Sequence, residues 1–284
     1  MKDILLSIVI ANYNYGRFLE EAILSIITQK LSEKVELIVC DAASTDNSVE
    51  IIKKYADKIS WWCSEKDKGQ SDAFNKGFSH AHGKFLTWLN ADDVLLPGTV
   101  QRLADAVSAN PKCEWYVGGC LWLDPEMRVL KCVLARSFSE MRLRCGLVSA
   151  WGPSCFFTKK MLLSVGGVDE RFHYMMDSDL WLKFAHAGYR YCRLPGYAYG
   201  LRLHPDAKMS GHNFAQSSQS DSTHPKWAQI KQEERWMRET KDYSRFTFWR
   251  RLITMGWVPF IKGQMDSYRM KGLHYARLDN LGVH

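Results

Sequence analysis

The chain has 284 residues, 46% of them hydrophobic and 24% charged, a balance typical of a globular protein with enough apolar material for a core. This length allows one large domain, or one domain with an appendage. No apolar stretch approaches the ~20 residues that span a bilayer, and eight single cysteines without a C-x-x-C pair argue against a zinc motif. We find no secretory leader, which favours reduced cysteines and a cytoplasmic location.

Positive charge is concentrated at the C-terminal end. The formal net charge is +7, and residues 224–284 hold 12 Lys and Arg against 6 Asp and Glu, whereas the preceding residues are almost neutral. A basic tail on a neutral body predicts an anionic partner for the tail rather than for the whole protein.

The first hundred residues alternate between strand and helix patterns. Apolar runs predict buried strands, and helical spacing of apolar residues predicts helices, at 4–10 (strand), 17–29 (helix), 35–41 (strand), 48–58 (helix), 59–65 (strand), 71–81 (helix) and 83–93 (strand). This order predicts an α/β fold, with a mostly parallel sheet flanked by helices.

After residue 100 the alternation weakens. The patterns there predict a helix at 97–111, antiparallel strands at 113–124 and 129–135, and an amphipathic helix at 177–189. A polar, Ser-rich stretch at 204–226 is typical of a loop or linker, and Trp- and Arg-rich helical segments follow it.

Polar residues stand where the predicted parallel strands end. They are Asn12, Asp41, Glu65 and Asp92, with Asp93 beside the last of them. Ligands of such sheets bind at the carboxyl ends of the strands. Adjacent carboxylates repel each other, so the pair predicts a site for Mg²⁺ or Mn²⁺. The alternative is that the pair caps the helix that follows.

Four ordered motifs resemble those of the family-2 glycosyltransferases with the GT-A fold. They read "VIANYNYGRFLEEAILSIITQ", "ELIVCDAASTDNS", "SEKDKGQSDAFNKGFSHAHGKFLTWLNADD" and "GGVDERFHYMMDSDLWLKFAHAG". The resemblance implies a GT-A catalytic domain at 1–205, with a nucleotide-binding half (1–100) and an acceptor half (101–205), followed by a linker and helical C-terminal extension at 206–284. It also implies a metal-dependent, inverting transfer of a sugar from a nucleotide-sugar, usually a UDP-sugar, to an acceptor hydroxyl.

The resemblance assigns the nucleotide to residues of the first half. Asp41 matches the position that accepts the uracil N3–H, which suits a carboxylate because it only accepts hydrogen bonds. Ala11 and Tyr13 match positions that pack on the base, and Asp72 matches one close to the uridine. Two alternatives stay open: Tyr13 as a core aromatic, and Asp72 as a helix N-cap.

Asn90, Ala91 and Asp92 stand at the family's D-x-D motif, which contacts the donor and its metal. Asn90 replaces the first acid, so Asp92 is expected to be the direct metal ligand, with Asp93 as support. "RLH" matches a segment in which His204 holds the metal or the diphosphate, and Arg202 is expected to pair with phosphate oxygens.

The "MMDSDLWL" segment resembles the motif that carries the catalytic base. Alignment on "DLWL" assigns that role to Asp177, with Asp179 as runner-up. Met176 replaces the usual preceding Glu. Both carboxylates could instead cap the predicted helix.

Two rival functions remain. A sugar nucleotidyltransferase would carry a Gly-rich phosphate loop after the first strand, where "IANYNYGRF" has a single Gly. A non-catalytic scaffold that binds a nucleotide-sugar is kept open by Asn90, Met176 and the "DAAS" turn. No nucleic-acid-binding motif accompanies the basic tail, so no nucleic acid is expected as partner.

The tail predicts a helix within 245–263. One face of it would carry Phe246, Trp249, Leu252, Ile253 and Gly256. Trp beside Arg is typical of a helix lying in the headgroup plane, which predicts peripheral attachment to the anionic inner face of the cell membrane. The acceptor would then be a growing glycan or a polyprenyl-diphosphate-linked sugar. The alternative is a helix packed on the catalytic domain.

Overall fold

The computed structural model describes residues 3–144, 150, 152–208 and 225–240. The strands in this part are β1 Leu6–Asn12, β2 Val35–Asp41, β3 Trp61–Ser64, β4 Phe85–Asn90, β5 Val94–Leu95, β6 Trp115–Leu123, β7 Val129–Val133, β8 Cys155–Thr158 and β9 Cys192–Arg202. The α-helices are α1 Gly16–Ile27, α2 Ser48–Lys54, α3 Gln70–Ser79, α4 Thr99–Ala109, α5 Glu140–Arg144, α6 Lys159–Ser164, α7 Met176–His186 and α8 Pro225–Thr240.

The first half forms the predicted parallel sheet, in the order β3-β2-β1-β4. Its strands are apolar without interruption because both faces of the sheet are covered. Along β1, Val9 faces one apolar cluster with Phe74 of α3. Ile8 and Ile10 face the other, with Leu19 of α1. The predicted α/β class is therefore confirmed.

The second half extends the sheet in the order β4-β8-β6-β9-β5, with β7 paired to β6. β8 joins β4 and β6 in antiparallel orientation, and β9 runs parallel to β6. The predicted antiparallel pair at 113–124 and 129–135 is confirmed as β6 and β7. β8 was not predicted, because its four residues are too few to show a period.

Some predicted boundaries differ from the structure. The strand predicted at 83–93 ends at Asn90, where a turn closes with the Asp93 N–H donating to the Asn90 carbonyl (3.1 Å). The helix predicted at 48–58 ends at Lys54. Asn47 holds the N-cap position of this helix, and Asp46 accepts the Ser48 N–H (3.0 Å).

Tryptophan fills the interior between the sheet and α7. The indoles of Trp88 and Trp181 stack with centroids 5.6 Å apart and planes 4° apart, and Trp115 stacks on Trp181 at 5.4 Å. All three are buried. These three of the chain's 11 tryptophans therefore belong to the core.

The helix predicted after the linker is present as α8. Within the described residues, no helix is both long and apolar enough to cross a bilayer. The helix predicted within 245–263 lies outside the described residues.

Candidate active site

Four parallel strands end side by side at one edge of the sheet. Asn12 lies beside Asp41 in the register of β1 and β2, and Ala11 lies beside Asn90 in that of β1 and β4. Glu65 follows β3 directly, and its N–H donates to the Asp41 carbonyl (2.9 Å). The predicted convergence of strand ends is confirmed, and it gathers polar groups where ligands bind in open α/β sheets.

Asp41 is buried at the end of β2 and is held by four donors. One oxygen accepts from Asn12 Nδ2 (2.7 Å) and the Ser44 hydroxyl (2.5 Å). The other accepts from the Ser44 N–H (3.0 Å) and the Ser64 hydroxyl (2.6 Å). The orientation of the carboxylate is therefore fixed in advance. A ligand N–H can join it where one hydroxyl turns away.

The other residues predicted to meet the nucleotide lie around this edge. The Tyr13 side chain is 60% exposed, so the alternative of a core aromatic is wrong. Ala11 is half-buried at the same strand end. Asp72 lies in the first turn of α3 and accepts the Lys68 N–H (3.0 Å), whereas Gly69 holds the N-cap position. The N-cap alternative for Asp72 is therefore wrong as well.

The turn after β4 points its two carboxylates in different directions. Asp93 is buried and accepts from Asn90 Nδ2 (2.8 Å) and the Arg202 N–H (2.9 Å). Loss of hydration, with the Asp92 charge nearby, raises the pKa of Asp93 well above its ordinary value. Both oxygens of Asp93 accept hydrogen bonds. Its geometry therefore favours a role in ordering the turn, rather than the predicted role of supporting the metal. Ala91 is buried as a whole residue, so the structure does not place it on the surface that a donor would contact.

Asp92 faces His204, as the metal prediction requires. His204 Nε2 lies 3.1 Å from Asp92 Oδ2. The imidazole is buried, packs on the Phe18 ring (4.6 Å between centroids) and meets the Tyr15 ring edge-on (5.7 Å). Two aromatic rings from α1 and its N-cap thus hold His204 against the carboxylate.

This pair suits a divalent ion. Neighbouring ligands of an octahedral ion with bonds of about 2.1 Å stand about 3 Å apart, close to the 3.1 Å between Asp92 Oδ2 and His204 Nε2. No cluster of three or more His, Cys, Asp or Glu able to hold a metal occurs in the described part of the chain. Mn²⁺ or Mg²⁺ held here would therefore take its other ligands from phosphate oxygens and water.

Arg202 does not occupy the place predicted for it. Its guanidinium is buried, donates to Glu21 Oε2 (2.5 Å) and lies over the Phe18 ring at 4.8 Å. This corrects the predicted phosphate contact, because Glu21 of α1 already neutralises the charge of Arg202.

Lys208 is a cation in the site that sequence reasoning missed. Its Nζ donates to Gln70 Oε1 (2.8 Å), and Gln70 Nε2 donates to Asn90 Oδ1 (2.7 Å). Burial lowers the pKa of Lys208 to about 8, although the charges of Asp177 and Asp92, among others, oppose this. The ammonium therefore lies within electrostatic reach of both candidate carboxylates. It was missed because it falls in the polar stretch predicted as a linker.

Asp177 lies half-buried in the first turn of α7. Ser178 donates to it through its N–H (2.6 Å) and its hydroxyl (3.4 Å), both to the same oxygen. Loss of hydration raises the pKa of Asp177 above its ordinary value. A carboxylate with a spare oxygen and a raised pKa suits proton acceptance.

The runner-up, Asp179, points into the core. It is buried, and its Oδ2 lies 2.9 Å from Lys183 Nζ, which also lies 3.4 Å from Asp169 Oδ2. A buried, paired carboxylate is poorly placed to meet an acceptor hydroxyl. Met175 holds the N-cap position of α7, so neither Asp177 nor Asp179 is its N-cap. The geometry favours Asp177 as the base.

Two family models match this chain. The model of "Glycosyl transferase family 2" matches residues 7–120, and that of "Glycosyl transferase family group 2" matches residues 85–270. The first covers the strand ends with Asp41 and Asp92. The second adds Asp177, His204 and most of the segment beyond.

Similar proteins carry the name glycosyltransferase. EpsE of Bacillus subtilis is 31% identical over 213 residues, covering 71% of this chain and 74% of EpsE. An uncharacterised glycosyltransferase of Nostoc is 39% identical over 104 residues, covering 35% of this chain. One of Rickettsia prowazekii is 30% identical over 188 residues, covering 63% of it. The chain spans 32% of the Nostoc protein and 58% of the Rickettsia protein.

Solved structures share the architecture. TarS of S. aureus in complex with UDP-GlcNAc matches with a TM-score of 0.56 and 16% identity, covering 74% of this chain and 63% of TarS. The mannosyltransferase PcManGT of Pyrobaculum calidifontis, in complex with GDP-Man and Mn²⁺, matches with a TM-score of 0.54 and 20% identity, covering 72% of this chain and 58% of PcManGT. At such identities the likeness is one of fold. Taken with the sequence matches, it shows that the chain belongs to glycosyltransferase family 2 and has the GT-A fold.

Proposed function

We propose that this protein transfers a sugar from a UDP-sugar to an acceptor hydroxyl, with inversion at the anomeric carbon and with Mn²⁺ or Mg²⁺ as cofactor. The proposal rests on one observation, the presence of a cation, Lys208, in the candidate site. Lys208 is bonded through Gln70 to the turn that bears Asp92, and it lies within electrostatic reach of Asp177. A donor diphosphate between these carboxylates would meet a positive charge.

The uridine is assigned to the strand-end edge. Asp41 would accept the N3–H of uracil, and the exposed ring of Tyr13 would supply a stacking face. Structural relatives bind UDP-GlcNAc in one case and GDP-Man in another, which supports a nucleotide-sugar donor. Guanine also offers N–H donors to a carboxylate, so GDP-sugars are the rival donors.

The chemistry follows from the positions of the charged groups. Asp177 would take the proton of the acceptor hydroxyl while the hydroxyl oxygen attacks the anomeric carbon. The bond from that carbon to the diphosphate breaks on the opposite face. Asp92 and His204 would hold the metal, which supplies charge neutralisation for the leaving diphosphate. Lys208 would add a second positive charge there. One displacement needs no covalent intermediate, so the configuration inverts.

A panel of nucleotide-sugars tests this function. We expect UDP and UDP-sugars to raise the melting temperature in the presence of Mn²⁺, and one UDP-sugar to be hydrolysed in a metal-dependent way. GDP-sugars should raise the melting temperature less and be hydrolysed more slowly. A protein that binds UDP yet hydrolyses and transfers nothing would instead be a nucleotide-sugar-binding scaffold.

The acceptor proposal rests on the basic tail. Net positive charge and Trp beside Arg after residue 241 favour attachment to an anionic membrane face, where a polyprenyl-diphosphate-linked sugar or growing glycan would be the acceptor. Co-sedimentation with anionic and neutral vesicles tests it. Binding should need anionic lipid, weaken with salt and vanish on truncation before Tyr243. A truncated protein that binds vesicles as well as the full chain does would refute the attachment.

A further inference from the structure

Helix α8 follows the predicted linker, yet it packs on the catalytic domain. Its buried side chains, Ile230, Glu233 and Met237, recur at the spacing of one helical face. The Trp236 ring packs on the Phe172 ring (4.6 Å between centroids) and lies under the Arg171 guanidinium (3.9 Å). The segment before α7 is therefore the surface on which α8 is docked.

The buried carboxylate of Glu233 is the polar centre of this contact. Its Oε1 accepts the His173 N–H (3.0 Å), and its Oε2 accepts the N–H groups of Tyr174 (2.9 Å) and Met175 (3.0 Å). Gln229, one turn earlier, donates its Nε2 to Oε1 (3.2 Å). A carboxylate loses much hydration on burial, so this position is tolerated because several donors replace the lost water.

The three N–H groups lead directly into the first turn of α7. Met175 holds the N-cap position, and Asp177 is the second residue of the helix. A helix N-terminus has N–H groups without partners inside the helix, and a negative charge beside it is favourable. No side chain at the N-cap supplies such a bond. Glu233 supplies the charge and the acceptors from another element, and so fixes the backbone that carries Asp177.

Glu233 also acts on Lys208 of the candidate site through its charge. Its charge is the foremost of the carboxylates that support the positive charge of Lys208. One residue of α8 thus orders the backbone before the candidate base and favours the cation of the candidate phosphate site.

We propose that Glu233 is a positioning residue for Asp177, which makes α8 a working part of the active site. This inference rests on the proposed glycosyl transfer. It predicts that loss of the Glu233 carboxylate slows the chemical step, because Asp177 shifts relative to the acceptor hydroxyl, while the nucleotide still binds at the strand ends.

The test uses Glu233→Gln and Glu233→Ala in the full chain, with Gln232→Ala as a matched control at an exposed position of the same helix. Glu233→Gln keeps the shape and one acceptor oxygen, so it remains informative where Glu233→Ala unfolds. Three quantities are measured: hydrogen exchange of the amides at 173–175, kcat with the preferred UDP-sugar, and the Kd for UDP.

We expect faster exchange at these amides in Glu233→Gln, and a fall in kcat of roughly 10- to 100-fold, the loss typical of a small misplacement of a catalytic group. The Kd for UDP should stay within about twofold, and Gln232→Ala should match the wild type. A wild-type kcat in Glu233→Gln overturns the inference, as does unchanged exchange at the three amides.

The outcomes separate this inference from the proposed function. A wild-type protein that turns over no nucleotide-sugar contradicts the proposed function and, with it, the catalytic role of Glu233. A wild-type protein that is active, beside a Glu233→Gln variant that is equally active, contradicts the role of Glu233 alone. An equal loss of UDP affinity and kcat would indicate general damage to the fold rather than positioning.

Discussion

The two ends of the candidate site hold their carboxylates in opposite ways. Asp41, at the strand ends, receives four hydrogen bonds from three residues of neighbouring segments. Asp177, on α7, accepts both Ser178 bonds on one oxygen, and burial raises its pKa. A carboxylate saturated with donors is suited to recognition, because it is fixed in place. One with a spare oxygen is suited to taking a proton.

Loss of the candidate metal site at Asp92 and His204 should have the largest effect. Asp92→Ala should abolish metal-dependent turnover, because it removes one of the two predicted ligands. Asp93→Asn is the matched control, since Asp93 is bonded to Asn90 and the Arg202 N–H. Turnover measured against Mn²⁺ concentration decides. A metal response lost in Asp93→Asn and kept in Asp92→Ala would reverse the assignment.

The base should come next. Asp177→Asn should lower kcat by roughly 10²- to 10⁴-fold, the usual loss of a general base, while the Kd for UDP is unchanged. The contrast is Asp41→Ala, which should weaken UDP binding. Single-turnover kinetics with the preferred donor measure the first effect. If Asp177→Asn keeps most of its activity and Asp179→Asn loses it, the base is Asp179.

The pH dependence should show both charged groups of this region. Asp177 must be ionised to act, and its pKa is raised, so kcat/KM should fall as pH drops through a value above that of an ordinary Asp. Lys208 loses its charge above its pKa of about 8, so activity should also fall on the alkaline side. Each limb should approach about tenfold per pH unit.

Lys208→Arg tests the alkaline limb. Arginine stays charged, so the fall near pH 8 should move to higher pH while the acid limb remains. A limb near pH 8 that persists unchanged in Lys208→Arg would assign it to another group.

The smallest expected effect concerns the rigidity of the strand-end region. Ala43, in the turn after Asp41, has a φ of 56°, a left-handed conformation that costs an L-residue roughly 1–2 kcal/mol. Ala43→Gly should remove this conformational cost. Part of the gain is offset, because glycine loses roughly 0.5–1 kcal/mol in backbone entropy on folding. We expect the free energy of unfolding to rise by about 0.5–1 kcal/mol. Ala42→Gly, where φ is not positive, should lower it in the same urea titration.

The strand-end region could be predicted from the sequence because each polar residue follows an apolar run. The alternation of strands and helices then places Asp41, Asn90 and Asp92 at one edge. Asp93 and Arg202 could not be placed in this way. Both residues stand at the expected spacing, but each is bonded to another side chain, Asp93 to Asn90 and Arg202 to Glu21. These bonds direct the two side chains away from a ligand, and they depend on side-chain packing.

The α7 region was only partly predictable. Asp177 was found through a motif, whereas Glu233 and Tyr174 are 59 residues apart in the chain, with a polar stretch between them. Nothing in the local pattern of α8 shows that one of its glutamates is buried. Such contacts form when segments distant in the chain pack together, and the hydrophobic periodicity of one segment does not predict them.

Calorimetric titration of UDP and GDP, each with Mn²⁺, into the wild type and Asp41→Ala tests the central claim most directly. The account predicts that UDP binds the wild type more tightly than GDP, and that Asp41→Ala loses at least about tenfold in UDP affinity, as expected for a lost hydrogen bond to a charged group. Equal affinities for UDP and GDP, both unaffected by Asp41→Ala, would contradict it.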